Sequence, residues 1–314
     1  MQSVQTEVPQ GSILGPLLFI IYINDLPQTI KNAKVVMYAD DTVLLYASDN
    51  IEQIEASLQT DLALASQWFI SNKITVNASK CKWMLFGTTA RLKLNNTPRI
   101  SLENSELERV DTFKYLGMTL DPTLSWNNHI QLLCSKISQR LGVLNRVRPY
   151  LTGDLAKMLF NAIVLPLFDY CDTLYGTAGN CYLNRLQRLQ NRGGKTILKL
   201  PRETSTKFVL DSLKWFPLKD RISLHNCVLV YKCLHNLAPE NLQNRFQFVS
   251  NPYSTRSQAR KDLTFPIPKL SLQRKSFVYQ GAMEWNKLPQ TCKEATTITN
   301  FKHRCVQYFL HKNE

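Results

Sequence analysis

Long apolar runs are missing from this chain. No window of about 18 apolar residues occurs, which excludes a helix of the kind that spans a bilayer. The longest apolar stretch, Ile13 to Ile23, is interrupted by Gly15 and Pro16. No basic segment or small-residue cleavage site frames it, so it is not a signal peptide. Cysteine pairs are missing too. Cys81, Cys134, Cys171, Cys181, Cys227, Cys233, Cys292 and Cys305 stand singly along 314 residues. Without a secretory signal they read as free, buried thiols, not as a disulfide framework. Only Cys227-x5-Cys233-x-His235 has a spacing that hints at a metal. It lies in a helical pattern and has no fourth partner, so it reads as core. There is no fixed-period repeat and no low-complexity tract. What remains, 44% apolar and 20% charged, is the composition of a globular protein. The length suggests two domains.

Acid is scarce in one part of the chain only. Residues 1–126 carry 10 Lys+Arg against 13 Asp+Glu, a net of −3, whereas residues 127–314 carry 28 against 11, a net of +17. An acid-leaning segment followed by a strongly basic one suggests chemistry in the first and a polyanionic partner for the second. A merely soluble basic surface is the bland alternative.

Periodicity divides the chain in the same way. Pro9-Gln10-Gly11-Ser12 is a turn signal, and Ile13 to Leu26 read as a buried helix closed by Pro27. Val35 to Tyr38 and Thr42 to Tyr46 are β-prone runs around Ala39-Asp40-Asp41, a hairpin with acids at its tip. Ile51, Ile54, Leu58, Leu62, Ala65 and Phe69 have helical spacing, and Asp49 or Asn50 can cap that helix. Short strands are expected at 74–76 and 82–86, a weak hairpin at 100–107, and a strand at 113–120. From Asn127 onward the pattern is helical, with helices expected at 127–147, 152–174, 182–198, 204–213, 218–236, 275–287 and 298–311. Residues 176–180 and 251–268 read as loops. The fold class is therefore α+β, then all-α.

Within 182–202, Arg185, Arg188, Arg192, Lys195, Lys199 and Arg202 recur every three or four residues, which places six cations along one helical face. No acid lies between Asp172 and Glu203. Gly193-Gly194 suggests a kink or break in the middle. Such a face can track phosphates, or it can simply be solvated.

Two adjacent aspartates at a hairpin tip can supply carboxylate oxygens to a hard cation such as Mg²⁺. An ordinary Asp-Asp turn is common, so the pair alone does not decide. Its surroundings do. Tyr38-Ala39-Asp40-Asp41 between apolar strands resembles motif C of reverse transcriptases. Residues Pro9 to Phe19, followed by Tyr22-Ile23-Asn24-Asp25-Leu26-Pro27, resemble motif B. Asn77-Ala78-Ser79-Lys80 resembles motif D, and Phe113-Lys114-Tyr115-Leu116-Gly117 resembles motif E. In wording and order they are most similar to the non-LTR retrotransposons of the jockey and chicken-repeat type, over about residues 5–120. Weaker similarity continues at 185–202, 281–289 and 301–310. Glu7 departs from the family, which has a glycine just before the Val-Pro-Gln-Gly run.

The resemblance implies residues 1–122 as a partial polymerase palm (a small antiparallel sheet with helices) and 123–314 as a helical thumb and C-terminal region. It implies an RNA-directed DNA polymerase that uses Mg²⁺ or Mn²⁺ with an RNA template, a DNA primer and deoxynucleoside triphosphates, in the nucleus or cytoplasm and with no membrane partner. Asp40 becomes the main metal ligand and Asp41 its assistant. Gln10, Gly11, Tyr38 and Ala39 line the nucleotide and template. Lys80 becomes a proton donor or phosphate contact, with a plain solvated lysine as the alternative. Tyr115, Leu116 and Gly117 position the primer end, and the six-cation face follows the duplex backbone. The family's motif A aspartate and its fingers have no counterpart in these 314 residues. The expectation is that this chain alone does not polymerise. The alternative reading is a non-catalytic nucleic-acid-binding remnant.

Overall fold

A computed structural model of the chain describes residues 11–93, 97–103, 105–250, 260–264, 267–268 and 270–312. The chain folds as two compact units, residues 1–113 and 114–314. It mixes helices with small sheets, in keeping with an α+β class.

In the first unit α1 (Leu14–Ile23) and α2 (Leu26–Thr29) lead into β1 (Lys34–Tyr38), β2 (Asp41–Leu45) and the long α3 (Ile51–Ser71). Asn50 caps α3, its side chain accepting from the Glu52 and Gln53 N–H groups. Short elements follow: β3 (Lys82–Trp83), α4 (Thr89–Leu92), β4 (Ser101–Leu102), β5 (Ser105–Glu106) and β6 (Glu108–Arg109). The described strands form separate two-stranded ladders, not one sheet: β1 with β2 and β4 with β5 antiparallel, β3 with β6 parallel. Residues 74–77 form no ladder, because Val76 packs instead on a small cluster around Ile100, Leu102 and Leu107. A second cluster gathers Ile23, Leu26, Ala65 and Trp68, with Met37 of the hairpin against it.

The expected buried helix at 13–26 is corrected on two counts. The helix ends at Ile23, and Pro27 lies inside the first turn of α2, where its missing N–H is no loss. Nor is α1 buried: Leu17, Leu18, Ile20 and Ile21 are all at least half exposed, and Ile23 is its one buried residue. A helix apolar all round belongs inside a protein. Among the described residues Phe19 and Ile23 pack on the second cluster, and the Tyr22 hydroxyl donates to the Asn72 carbonyl.

The second unit opens on a hairpin, β7 (Phe113–Tyr115, its first residue at the unit boundary) and β8 (Met118–Leu120), and continues as helices: α5 (Asn127–Val147), α6 (Gly153–Ile163), α7 (Leu165–Asp169), α8 (Asp172–Tyr175), α9 (Asn180–Leu198), α10 (Thr206–Leu213), α11 (Leu218–Leu234), α12 (Glu240–Gln243), α13 (Ser271–Arg274), α14 (Phe277–Lys287), α15 (Gln290–Lys293) and α16 (Ile298–His311). The single helix expected at 152–174 is three. Pro166 cannot donate to the ladder, and Cys171 turns the chain through the left-handed region (φ 55°). Two cores result. One is built on Ile130, Ile137, Leu141 and Leu144 of α5 with Phe160, Phe168 and Ile197; the other on Val230, Tyr231, Trp285, Phe301 and Phe309. All eight cysteines are free thiols. Cys227 and Cys233 lie in the second core, and His235 stacks on Tyr231 at 3.8 Å, so this trio is packing.

The glycine pair in α9 is the clearest reversal. The helix runs unbroken through Gly193 and Gly194. A Cβ on Gly193 would lie 2.4 Å from Phe160 Cε2, and one on Gly194 2.4 Å from Val209 Cγ1. The glycines are there for close approach of α9 to α6 and α10, and that packing outweighs their poor helix propensity of about 1 kcal/mol each. The similarity at 281–289 also gains a physical content. Trp285 Nε1 donates to the Lys261 carbonyl at 3.0 Å, and the Asn286 side chain bonds both the N–H and C=O of Leu263. Lys293 forms a buried ion pair with Asp262 at 2.7 Å. Together they hold residues 261–263 against the second core.

Candidate active site and nucleic-acid interface

The acidic turn is built by the β1–β2 register. Tyr38 pairs with Asp41, leaving Ala39 and Asp40 as a two-residue loop. Ala39 has φ 52° and Asp40 does not have a positive φ, the pattern of a II′ hairpin turn. Alternation puts Val35 and Met37 toward the core, while Tyr38 and Asp41, as direct partners, share the outer face. Asp40 and Asp41 are both exposed, and among the described residues no cation pairs with either carboxylate. An L-residue held at positive φ is strained by about 1–3 kcal/mol, and such strain concentrates at working sites.

The other expected residues are distributed as follows. Gln10 lies outside the described residues. Gly11 has φ 87° and no atom within 4 Å of where a Cβ would sit, so here the backbone conformation itself calls for glycine. Lys80 is exposed at the end of a 3₁₀ turn that Asn77 caps through the Ser79 N–H. In the second unit, Leu116 (φ 45°) and Gly117 (φ 79°) form the tight turn between β7 and β8. Tyr170, which sequence reasoning passed over, braces it: its hydroxyl donates to the Leu116 carbonyl at 2.5 Å, and a Cβ on Gly117 would stand 3.2 Å from its ring.

The cationic face is shorter than its spacing implies. Arg185, Arg188 and Arg192 are exposed on α9. Lys195 is half-buried and donates to the Arg202 carbonyl at 2.5 Å. Lys199 is the C-cap, with φ 54°, and Arg202 lies beyond the helix. The left-handed cap turns the chain away, so the last two cations leave the face that carries the first four. Arg148 secures this end. It is buried, with Nε and Nη2 donating to the Ile197 carbonyl at 2.9 and 2.6 Å and Nη1 to Leu151 at 2.7 Å. A guanidinium on the orphan carbonyls of a helix C-terminus is favourable in both hydrogen bonding and dipole.

Among the described residues one other cluster could offer ligands to a metal: Asp169, Asp172 and His225, all in the second unit. The protein's own Arg221 and His225 already occupy it. Arg221 grips both oxygens of Asp169 at 2.5 and 2.6 Å, and His225 Nδ1 lies 2.5 Å from Asp172. Burial pushes the Asp172 carboxyl up, with His225 acting against it. The pattern is that of an Arg221–Asp169 ion pair beside a His225–Asp172 hydrogen bond, tying α7 and α8 to α11.

Residues 2–120 match the family model for reverse transcriptase (RNA-dependent DNA polymerase). That segment belongs to the reverse transcriptases. Its relatives carry the similarity further. The RNA-directed DNA polymerase from mobile element jockey of Drosophila melanogaster is 28% identical over 256 residues, covering 78% of this chain and 27% of the relative. The probable RNA-directed DNA polymerase from transposon BS, also of Drosophila melanogaster, is 30% identical over 229 residues, 69% of this chain and 25% of the relative. A Pol polyprotein from the type-1 retrotransposable element R1 of Nasonia vitripennis is 22% identical over 231 residues, 70% of this chain and 68% of the relative. These names place the reverse transcriptase among those of non-LTR retrotransposons. The chain spans about a quarter of the length of the jockey and BS relatives. The jockey alignment is more than twice as long as the family match, so it runs deep into the helical unit. No solved structure matches the chain.

Proposed function

We propose that the Asp40-Asp41 turn holds the divalent cation, Mg²⁺ or Mn²⁺, of an RNA-directed DNA polymerase acting on deoxynucleoside triphosphates, an RNA template and a DNA primer. The observation that carries this reading is an exposed pair of adjacent carboxylates on a strained hairpin tip with no cation among the described residues against them. Exposed carboxylate oxygens suit a hard cation that keeps several waters and shares substrate phosphates. When bound, such ions stabilise the attacking and leaving oxygens of nucleotidyl transfer. Asp40 is the main ligand and Asp41 the lesser one. Gln10, Gly11, Tyr38 and Ala39 face the nucleotide and template, and Lys80 gives a proton to, or contacts, the departing pyrophosphate. Tyr115, Leu116 and Gly117 seat the primer end. Residues 1–122 act as part of a palm, and 123–314 as thumb and C-terminal region.

Two carboxylates make an incomplete set, and the family's further aspartate is not among these residues. Loss of one such group removes a large part of the electrostatic stabilisation. The purified 314-residue chain is therefore expected to bind Mn²⁺ at the turn and to lose that binding in Asp40→Asn, yet to give no primer extension. Undiminished binding in Asp40→Asn refutes the ligand assignment. Mg²⁺-dependent extension that Asp40→Asn abolishes refutes the expected inactivity.

A second reading, nucleic-acid binding without catalysis, is favoured by the acid-free, exposed Arg185, Arg188 and Arg192 on α9. Phosphate contacts of this kind give affinity without sequence readout. Affinity for an RNA–DNA duplex is expected to fall steeply with salt. Arg188→Glu with Arg192→Glu should flatten the slope by about two contacts, roughly 0.7–0.9 in log–log slope for each. An unchanged slope removes α9 from the interface.

A further inference from the structure

The first unit contains a carboxylate that is buried with no cation against it among the described residues. Asp61, on α3, is 0% exposed. Its oxygens accept from the backbone N–H groups of Lys31 (3.0 Å), Asn32 (3.0 and 3.2 Å) and Ala33 (2.6 Å), and from the Asn32 side-chain amide (3.2 Å). Successive backbone N–H groups turned toward one point form an anion-binding nest. Here the anion comes from within the protein. An isolated buried carboxylate is prohibitively unfavourable, and charge-assisted hydrogen bonds of this number are what offset the lost hydration.

The nest adjoins the acidic turn in sequence. Residues 31–33 lead directly into β1 at Lys34, and the strand ends at Tyr38, beside Ala39 and Asp40. A strand has two faces, and a slip of one residue exchanges them. The two-residue turn sets the register of β1 on β2 but leaves open the register of β1 against α3. Asp61 sets it at the start of the strand. Met37 sets it near the end, packing on the cluster that holds Ala65 and Trp68. Asp61, Ala65 and Trp68 recur at helical spacing, so one face of α3 holds both ends of β1.

We propose that Asp61 is a positioning residue for the Asp40-Asp41 turn, fixing the start of β1 on α3 and thereby the face on which the two carboxylates are presented. The inference rests on the reading of that turn as the cation-holding pair.

The test uses the full 314-residue chain and Asp61→Asn, which keeps one acceptor oxygen and turns the other position into a donor facing donors. Two quantities are read: amide hydrogen exchange over residues 31–45, and broadening of the 38–42 amides by titrated Mn²⁺. Exchange over 31–45 should accelerate by about ten- to a hundredfold, the range for losing a hydrogen bond to a charged group. Exchange in α5 and α9 should stay as in the parent. The Mn²⁺ midpoint at the turn should rise. Unchanged exchange, or accelerated exchange with an unmoved Mn²⁺ midpoint, overturns the proposal, since a merely structural tie would leave the midpoint alone. Absence of broadening in the parent instead sinks the cation reading, and exchange alone then decides whether Asp61 holds the hairpin. Should Asp61→Asn unfold the first unit, Asn32→Ala decides in its place. It deletes one bond and leaves the backbone donors, so a smaller acceleration over 31–38 and a smaller midpoint rise are expected. No change in either overturns the proposal.

Discussion

The two units keep their apolar side chains in opposite ways. In the second, α5 buries Ile130, Ile137, Leu141 and Leu144 to 1% exposure or less, and helices on either side close over them. In the first, α1 is richer in apolar residues than α5 yet leaves Leu14, Leu17, Leu18, Ile20 and Ile21 more than half exposed. Burial is a property of what lies opposite, not of the residue. The same contrast holds for charge. The acids of the turn have no cation against them among the described residues of the first unit. Buried charges of the second are neutralised at home, as in Lys293–Asp262, or discharged onto helix carbonyls, as in Arg148.

Alanine substitutions are the most direct way to break this comparison. Leu141→Ala should cost about 2–5 kcal/mol in chemical denaturation, the range for a buried leucine. Leu17→Ala should change stability by no more than about 0.5 kcal/mol, as at a surface position. Equal losses would mean that α1 is covered in solution and would end the contrast.

Gly193→Ala sharpens it within one helix. By propensity alone, alanine should stabilise a helix by about 1 kcal/mol. With its Cβ 2.4 Å from Phe160, it should instead destabilise by about 1–3 kcal/mol, the usual effect of overpacking. The sign of the change in melting temperature separates the two accounts.

The smallest effect concerns acid. Asp121 is buried, which by itself pushes its carboxyl up. Bonds from the Ser125, Thr123 and Trp126 N–H groups and the Thr123 hydroxyl outweigh this and hold it below its ordinary value of 3.8. A lowered folded-state value means stability that is fully present above the unfolded value and is lost as pH falls through the folded one. Parent and Asp121→Asn should therefore differ most near neutral pH and converge in acid. A gap that persists at low pH would show that the loss in the variant is not electrostatic.

Much of this was legible in the chain. The spans 127–147 and 298–311 coincide with α5 and α16 because their apolar spacing matches the face they bury. The acidic hairpin was legible because β-prone runs and a two-residue tip are local signals. Asp61 was not, although it sits at the helical spacing of Leu58, Ala65 and Trp68. A polar residue on an apolar face was the one available signal, and its donors lie about 30 residues away. Tyr170, 54 residues from the Leu116 carbonyl it serves, escaped for the same reason. The cationic face was read too long because spacing continues past a helix end that only backbone geometry reveals.

By itself, the sequence determined the lineage, the acidic turn, the change from mixed to helical structure and the bias of basic charge toward the second part. Each is carried by residues close together in the chain or by simple sums over it. Tertiary structure alone decided that α1 stands exposed, that Gly193 and Gly194 join helices instead of breaking one, and that Asp61 anchors the strand behind the acidic turn. Those depend on which distant groups come within a few ångströms, and neither hydrogen bonds nor packing contacts are encoded in the spacing of any one segment.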